Sequence, residues 1–323
     1  MKIKVLMKSY SFKEVLDNQL REKGLESDLV DMNRPLDQQI SDAEVIVNGP
    51  TKLDSETIDM CPKLVLVHQA GIGYDNVDVD YCTSRSIHVA NVPLANSIAV
   101  AEHTLFLMIY LAKNIHAAEG SLMKRKTPGG MGSELYGKTL LIIGLGSSGT
   151  EVARRAKAFG MKVLAITKDP ILDGSGKPGW EKPYFADEIK GPESLKEYLS
   201  IADYISLHLP LNTETEGLIG GKELELMKKS AYLVNVARGP IVDKQAMFNA
   251  LIEKRISGAA FDVFWDEPAR PDDKFLKLEN FVLTPHIAGW TRESVEAIAG
   301  VIAANIARVV DGKTPLTLVN KAL

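Results

Sequence analysis

The sequence predicts an α/β protein of two domains with parallel sheets. Three observations carry this. Its 323 residues exceed what one compact core usually holds. Short apolar runs alternate with stretches of helical periodicity along the chain. Several of those runs, such as 64–67, are apolar at every position, as in strands covered on both faces.

In order, KIKVLM, VLDNQLREKG, AEVIVNG and LVLVHQ read as strand, helix, strand and strand. A long helix is expected over about 97–116. The following KRKTPGGMGSELYGK is rich in turn residues and reads as an exposed excursion. From Lys138, TLLIIGLGSSGTEVARRAKAFGMKVLAIT reads as strand, glycine turn, helix, glycine cap and strand. Further strands are expected over 204–207, 231–236, 259–263 and 281–283, and an amphipathic last helix over about 292–310. The glycine- and proline-bearing stretch 172–183, which holds Pro178 and Trp180, reads as a loop.

Composition narrows the function class. Hydrophobic residues make up 45% and charged residues 25%, and the net charge of −4 comes from mixed signs. The longest cationic cluster, Lys124-Arg125-Lys126, gives little support to nucleic-acid binding. Cys61 and Cys82 form neither a CxxC pair nor a disulfide framework, which suits a reducing compartment. MKIKVLMKSYSF has no long apolar core and is not expected to be a secretory signal. The stretch 98–112 holds Glu102 and His103 and is too short to cross a bilayer, so a buried helix is expected there. The expected partner is a small molecule, with neither nucleic acid nor membrane, and the expected location is the cytoplasm.

Gly144-Leu145-Gly146-Ser147-Ser148-Gly149 has GxGxxG spacing. The first glycine allows a tight turn, the second lets a pyrophosphate approach the backbone, and the third allows close helix–strand packing at a helix N-terminus. Such spacing alone is weak. Here it follows an apolar strand and opens an alanine-rich helix, the context that a dinucleotide requires. An NAD site usually ends its second strand with an acidic residue on the ribose 2′-hydroxyl. This chain has Thr167-Lys168 there, and a hydroxyl and an ammonium suit a 2′-phosphate, so NADP is expected in preference to NAD. The alternative leaves Lys168 solvated and bends Asp169 back to the ribose.

Three later segments place polar residues where strands should end: 235–240, 262–268 and 284–289. In a doubly wound sheet, ligands sit beyond the carboxyl ends of the strands. Arg238, Glu267 and His286 could therefore converge there. Arg238 can hold a substrate carboxylate bidentately, which orients a neighbouring carbonyl. His286 can exchange a proton with the carbonyl oxygen, and Glu267 can fix its tautomer and favour its protonated form. Each also has an ordinary reading as surface charge, loop hydrogen-bonder or solvated turn residue. Their order behind a dinucleotide turn favours a common site, and with it reduction of a small 2-keto acid to its 2-hydroxy acid or the reverse.

The sequence resembles the D-isomer-specific 2-hydroxyacid dehydrogenase family over nearly its whole length. GLGSSG at 144–149, LHLPLNTET at 207–215, VNVARGPIVD at 234–243, AAFDVFWDEP at 259–268 and TPHIAGWT at 284–291 carry the resemblance, with AGIGYDNVDVD at 70–80 and NVPLANSIAVAEHTL at 91–105. It implies two Rossmann-like doubly wound domains: a cofactor domain over 99–290, inserted into a discontinuous substrate domain over 1–98 and 291–323. It implies Arg238, Glu267 and His286 as catalytic residues and the backbone of Ile72 and Gly73 against the substrate carboxylate. It also implies Asp262 near the nicotinamide carboxamide, and Val100, His208, Pro210 and Ala237 along the cofactor. A homodimer with the helix near 97–116 in its interface is implied too.

The departures matter. Thr167-Lys168 replaces the usual acidic residue, as in NADP-using glyoxylate and hydroxypyruvate reductases, which makes these the first choice. A bulkier keto acid or a phosphoglycerate-type substrate is the alternative. Glu267 stands where formate dehydrogenases have glutamine, and Ile72 where the phosphite-oxidising branch has lysine. No regulatory extension of the kind some phosphoglycerate dehydrogenases carry is expected after the last helix. Corepressors of this fold keep a similar trio, so a cofactor-sensing binding protein stays open as a non-enzyme alternative, as does a purely structural domain.

Overall fold

The computed structural model describes residues 1–7, 9–123, 131–168 and 185–320. Lys124-Arg125-Lys126, Asp169 and the 172–183 stretch lie outside the described residues. The chain forms two compact units, residues 1–96 with 290–323, and residues 97–289. In chain order the elements are β1 (Ile3–Leu6), α1 (Tyr10–Arg21), β2 (Ser27–Leu29), α2 (Asp37–Ile40), β3 (Val45–Asn48), α3 (Ser55–Asp59), β4 (Leu66–Gln69), α4 (Val79–Ser84), β5 (His88–Ala90), α5 (Ser97–Ala112) and α6 (Ile115–Met123). They continue with β6 (Thr139–Ile143), α7 (Ser147–Ala158), β7 (Lys162–Ile166), β8 (Glu188–Lys190), α8 (Leu195–Ile201), β9 (Tyr204–Leu207), α9 (Gly221–Leu226), β10 (Tyr232–Asn235), α10 (Lys244–Ile252), β11 (Gly258–Phe261), β12 (Phe281–Leu283) and α11 (Arg292–Val310).

The first unit is a parallel sheet in the order β2-β1-β3-β4-β5, the flavodoxin-like winding. Its strands alternate strictly between two cores. Ile3, Val5, Val45, Val47 and Leu66 face α1 and α11, while Leu6, Ile46 and Val67 face Ile40, Ile58 and Cys82. Ser9 caps α1 by accepting from the Phe12 N–H at 3.2 Å, and Phe12, Leu16 and Leu20 at every fourth position form its buried face. In α11 the buried face is Val295, Ile298, Ala299, Ile302, Ala303 and Ile306, behind a Thr291 cap.

A buried polar chain ties the last residues to this sheet. Asn305 Nδ2 donates to His68 Nε2 at 2.9 Å and to Thr317 Oγ1 at 2.8 Å, and Thr317 Oγ1 donates to the Asn91 carbonyl at 2.6 Å. The Leu316 N–H donates to Asn305 Oδ1 and so fixes the amide's orientation. His68 Nε2 must therefore accept, and Nδ1–H donates to the Gln69 carbonyl at 3.1 Å. The Val319 N–H then donates to the Val89 carbonyl, and Val89 N–H to Asn320 Oδ1.

The second unit is a parallel sheet in the order β12-β11-β10-β9-β6-β7-β8. β6 lies centrally with the chain winding outward on both sides, the expected fold class. One face packs on α5 and α7 through Leu107, Met108, Val152 and Ala156. The other carries Leu199, Leu224, Met247 and Leu251 of α8, α9 and α10. The helix expected over 97–116 is in fact two: α5 stops at Ala112, Asn114 takes a φ of +52°, and α6 begins at Ile115. Asparagine tolerates that left-handed conformation better than most residues, so Lys113-Asn114 breaks the helix. Among the described residues no single helix is long and apolar enough to cross a membrane.

Candidate active site

All the candidates of the second unit except Val100 follow the carboxyl ends of its parallel strands. Gly144 follows β6, Thr167 β7, His208 β9, Arg238 β10, Asp262 β11 and His286 β12. A parallel sheet has one such edge, so topology alone gathers these loops.

At the centre, Gly144 has a φ of +100°, and a Cβ there would lie 2.5 Å from the His208 carbonyl oxygen. A Cβ on Gly149 would collide with the Gly144 carbonyl, so both positions need glycine for space. Gly146 differs: nothing lies within 4 Å of its would-be Cβ. It is the N-cap of α7 and supplies no side-chain acceptor, so the helix's first N–H groups have no capping side chain. Open space over an uncapped helix N-terminus fits a pyrophosphate.

His208 braces this turn. Its Nδ1 lies 3.2 Å from Ser148 Oγ and its Nε2 2.8 Å from Ser206 Oγ, and burial lowers its pKa. Ser147 is the first residue of α7. The Pro210 carbonyl accepts from Thr215 Oγ1 at 2.7 Å. Thr167 donates its N–H to the Lys190 carbonyl at 3.1 Å, and the exposed Lys168 ammonium pairs with Glu214. Val100, in the first turn of α5, accepts through its carbonyl from Thr104 Oγ1.

Beyond β10 and β11 the loops interlock. The Ala237 N–H is held by Asn235 Oδ1, and the Ala237 carbonyl accepts from Arg238 Nη1 at 2.8 Å. A Cβ on Gly239 would stand 2.6 Å from the Trp265 nitrogen and closer still to the Phe264 carbonyl. Trp265 Nε1–H donates to the Val242 carbonyl at 2.6 Å, binding the two loops again. The Phe264 N–H donates to Glu267 Oε1 at 2.9 Å, and Glu267 Oε2 lies 2.7 Å from His286 Nδ1. Both carboxylate oxygens are thus fixed. Burial pushes the Glu267 carboxyl up, but the His286 hydrogen bond and charge, the Phe264 N–H and the Arg238 charge outweigh it and lower its pKa.

His286 sits in the left-handed region at φ +55°. Its N–H donates to the Asp262 carbonyl at 2.8 Å. The Asp262 carboxylate accepts from Ile287 N–H at 3.0 Å, Ala288 N–H at 2.7 Å and Thr284 Oγ1 at 2.5 Å. Burial raises its pKa, and the bonds from His103, Thr284, Ala288 and Ile287 together lower it further than burial lifts it.

The structure therefore joins Glu267 to His286 directly and Arg238 to Glu267 through its charge. Asp262, expected beside a nicotinamide carboxamide, spends its carboxylate on the turn that carries His286. Ile72 and Gly73 belong to the first unit, in the loop after β4, where the Ile72 carbonyl accepts from Asn91 Nδ2 at 2.8 Å. Sequence reasoning missed Glu214, Ser206 and the parts played by His103 and Thr284. A histidine inside an apolar helix was the available signal for His103. Among the described residues no group of three His, Cys, Asp or Glu side chains is placed to hold a metal ion.

Residues 105–288 match the family described as D-isomer specific 2-hydroxyacid dehydrogenase, NAD binding domain. The chain belongs to this family. It is 40% identical over 291 residues to the D-3-phosphoglycerate dehydrogenase of Methanocaldococcus jannaschii, covering 88% of this chain but only 53% of that protein, so it spans about half the length of that relative. It is 36% identical over 291 residues to the glyoxylate reductase of Korarchaeum cryptofilum, covering 88% and 85% of the two chains. Among solved structures it resembles the NADPH-dependent glyoxylate/hydroxypyruvate reductase of Sinorhizobium meliloti in complex with NADP and malonate. The TM-score is 0.82 at 26% identity, covering 99% of this chain and 96% of that one.

Proposed function

We propose that the chain is a nicotinamide-dependent dehydrogenase that interconverts a small 2-keto acid and its D-2-hydroxy acid, with glyoxylate or hydroxypyruvate as substrate. One observation carries the reading. The 2.7 Å pair of His286 and Glu267 lies on the same sheet edge as a glycine turn with room for a pyrophosphate. When bound, the nicotinamide supplies the hydride. With Nδ1 engaged by Glu267, His286 is left with Nε2 to give a proton to the carbonyl oxygen or to take it back. Such a donor contributes on the order of 10² to 10⁴ in rate. Glu267 holds the ring and balances the charge of its protonated form, and Arg238 grips the carboxylate that makes the substrate a 2-keto acid.

Gly144, Gly146, Ser147, Ser148 and Gly149 would hold the pyrophosphate, and Val100, His208, Pro210, Ala237 and Asp262 would line the rest of the cofactor. The backbone of Ile72 and Gly73 would bind the substrate carboxylate, which makes the first unit the substrate domain. Thr167 and Lys168 favour NADP over NAD. The Lys168–Glu214 pair is exposed on both sides, and such pairs contribute only about 0–1 kcal/mol, so a 2′-phosphate can take the lysine. Exposed Ile98 and Phe106 on α5 suit a homodimer interface, and the cytoplasm suits the two unpaired, buried cysteines.

The identity to a D-3-phosphoglycerate dehydrogenase favours a phosphoglycerate-type substrate as the second reading. A panel of 2-keto acids with NADPH and NADH, followed at the reduced-nicotinamide absorbance, decides between them. Glyoxylate or hydroxypyruvate should turn over fastest, and His286→Ala should abolish turnover while cofactor binding persists. Turnover surviving in that variant, or no turnover of any 2-keto acid, overturns the reading. A tenfold preference for NADH overturns its NADP part.

A further inference from the structure

We propose that His103 is a positioning residue that holds the His286 turn in place through Thr284 and Asp262. The proposal rests on the reading of His286 as proton donor. His103 is the histidine of apolar α5, and its side chain is 14% exposed. Its Nε2 lies 2.9 Å from Thr284 Oγ1 and 3.4 Å from Asp262 Oδ1.

Counting protons fixes the directions. Thr284 has one hydroxyl proton, and at 2.5 Å it goes to the Asp262 carboxylate, which can only accept. Thr284 Oγ1 must then accept from His103, so the His103 Nε2 carries a proton. The Asp262 carboxylate is in turn the acceptor for the Ile287 and Ala288 N–H groups. Those two bonds, with the His286 N–H on the Asp262 carbonyl, hold a β-carbon-bearing residue at φ +55°, where side chains are disfavoured.

Without the imidazole donor, the Thr284 hydroxyl is free to rotate and Asp262 loses the partner that aims it. The turn at 286–288 then relaxes, and the His286 ring leaves the orientation in which Nδ1 meets Glu267. The role is one of donation. A leucine of similar bulk fills the space and cannot perform it, whereas a glutamine can place an N–H near the Nε2 position.

Hydrogen–deuterium exchange on the protein without substrate tests this apart from turnover. In His103→Leu the amides of 287–288 should exchange at least fivefold faster, with α5 unchanged, and His103→Gln should restore the slow rate. Thr284→Val removes the relay without touching the helix and should act as His103→Leu does, keeping the test open if the leucine variant fails to fold. In turnover, His103→Leu should lose about tenfold in kcat with the cofactor KM within twofold. Exchange at 287–288 within twofold of the unaltered protein in both His103→Leu and Thr284→Val overturns the proposal, as does faster exchange spread evenly along 97–112. If the exchange result holds while no 2-keto acid turns over, the positioning stands and the dehydrogenase reading fails.

Discussion

Gly239 is the position from which packing should act most directly on chemistry. Its would-be Cβ stands 2.6 Å from the Trp265 nitrogen, with the Phe264 carbonyl nearer still. Ordinary contacts between heavy atoms begin near 3.5 Å, so Gly239→Ala must push the 264–265 backbone away by about 1 Å. That backbone aims Glu267, because the Phe264 N–H holds Oε1. Misplacing a supporting group by about 1 Å can cost about 10²-fold in rate, and overpacking costs about 1–3 kcal/mol of stability. Gly258→Ala is the control: its Cβ would meet the Asn280 carbonyl oxygen at 2.7 Å, another backbone collision but away from Glu267. Steady-state kinetics well below Tm, with thermal melts of both variants, should show similar destabilisation and a kcat loss near 10²-fold in Gly239→Ala alone. If Gly239→Ala keeps the original kcat, or Gly258→Ala loses as much, the loop contact does not aim Glu267.

Three further outcomes follow from the same geometry. Glu267→Gln keeps an acceptor for Phe264 N–H but loses the charged partner of His286, a bond of about 1.5–3 kcal/mol, so kcat should fall about 10- to 150-fold with Tm little changed. Lys168→Ala should lower kcat/KM for NADPH about tenfold and leave NADH within twofold, a difference of about 1.4 kcal/mol from one charged phosphate contact. Burial lowers the His68 pKa to about 4, with its backbone bond to Gln69 opposing, against 6.5 for an ordinary histidine. In that window the unfolded chain binds a proton that the folded one does not, so stability falls as pH falls. Between pH 6.5 and 5 this removes about 1.6 kcal/mol, and the unfolding free energies of the unaltered protein and His68→Gln from urea melts should diverge by that much.

What the sequence made legible depended on how local each demand was. Gly144, Gly146 and Gly149 are readable because their steric needs are met within one strand–turn–helix unit. The strands β6, β9 and β12 are readable as mostly apolar runs, and α11 as a long periodic pattern with a threonine cap. β2, β5 and β8, at three residues each, are too short to show a period. The break at Asn114 was hidden because the residues around it are helix formers. The link between His103 and Thr284 crosses 181 positions and is created only when α5 lies on the sheet. Glu214 was hidden for a related reason: its pairing with Lys168 needs the β7 and β9 loops side by side.

The return of α11 to the first unit has a consequence for how the protein is born. The middle unit is continuous, so its residues leave the ribosome together and can close as they emerge. The five strands that precede it have no such freedom. Their sheet needs α11, translated only after the middle unit, to cover Ile3, Val5 and Val47, and needs Thr317 and Asn320 to finish its edge. The strands of the first unit are therefore completed only after the middle unit has been made, and a nascent chain halted before residue 290 leaves an apolar sheet face open to whatever chaperone or neighbour meets it first.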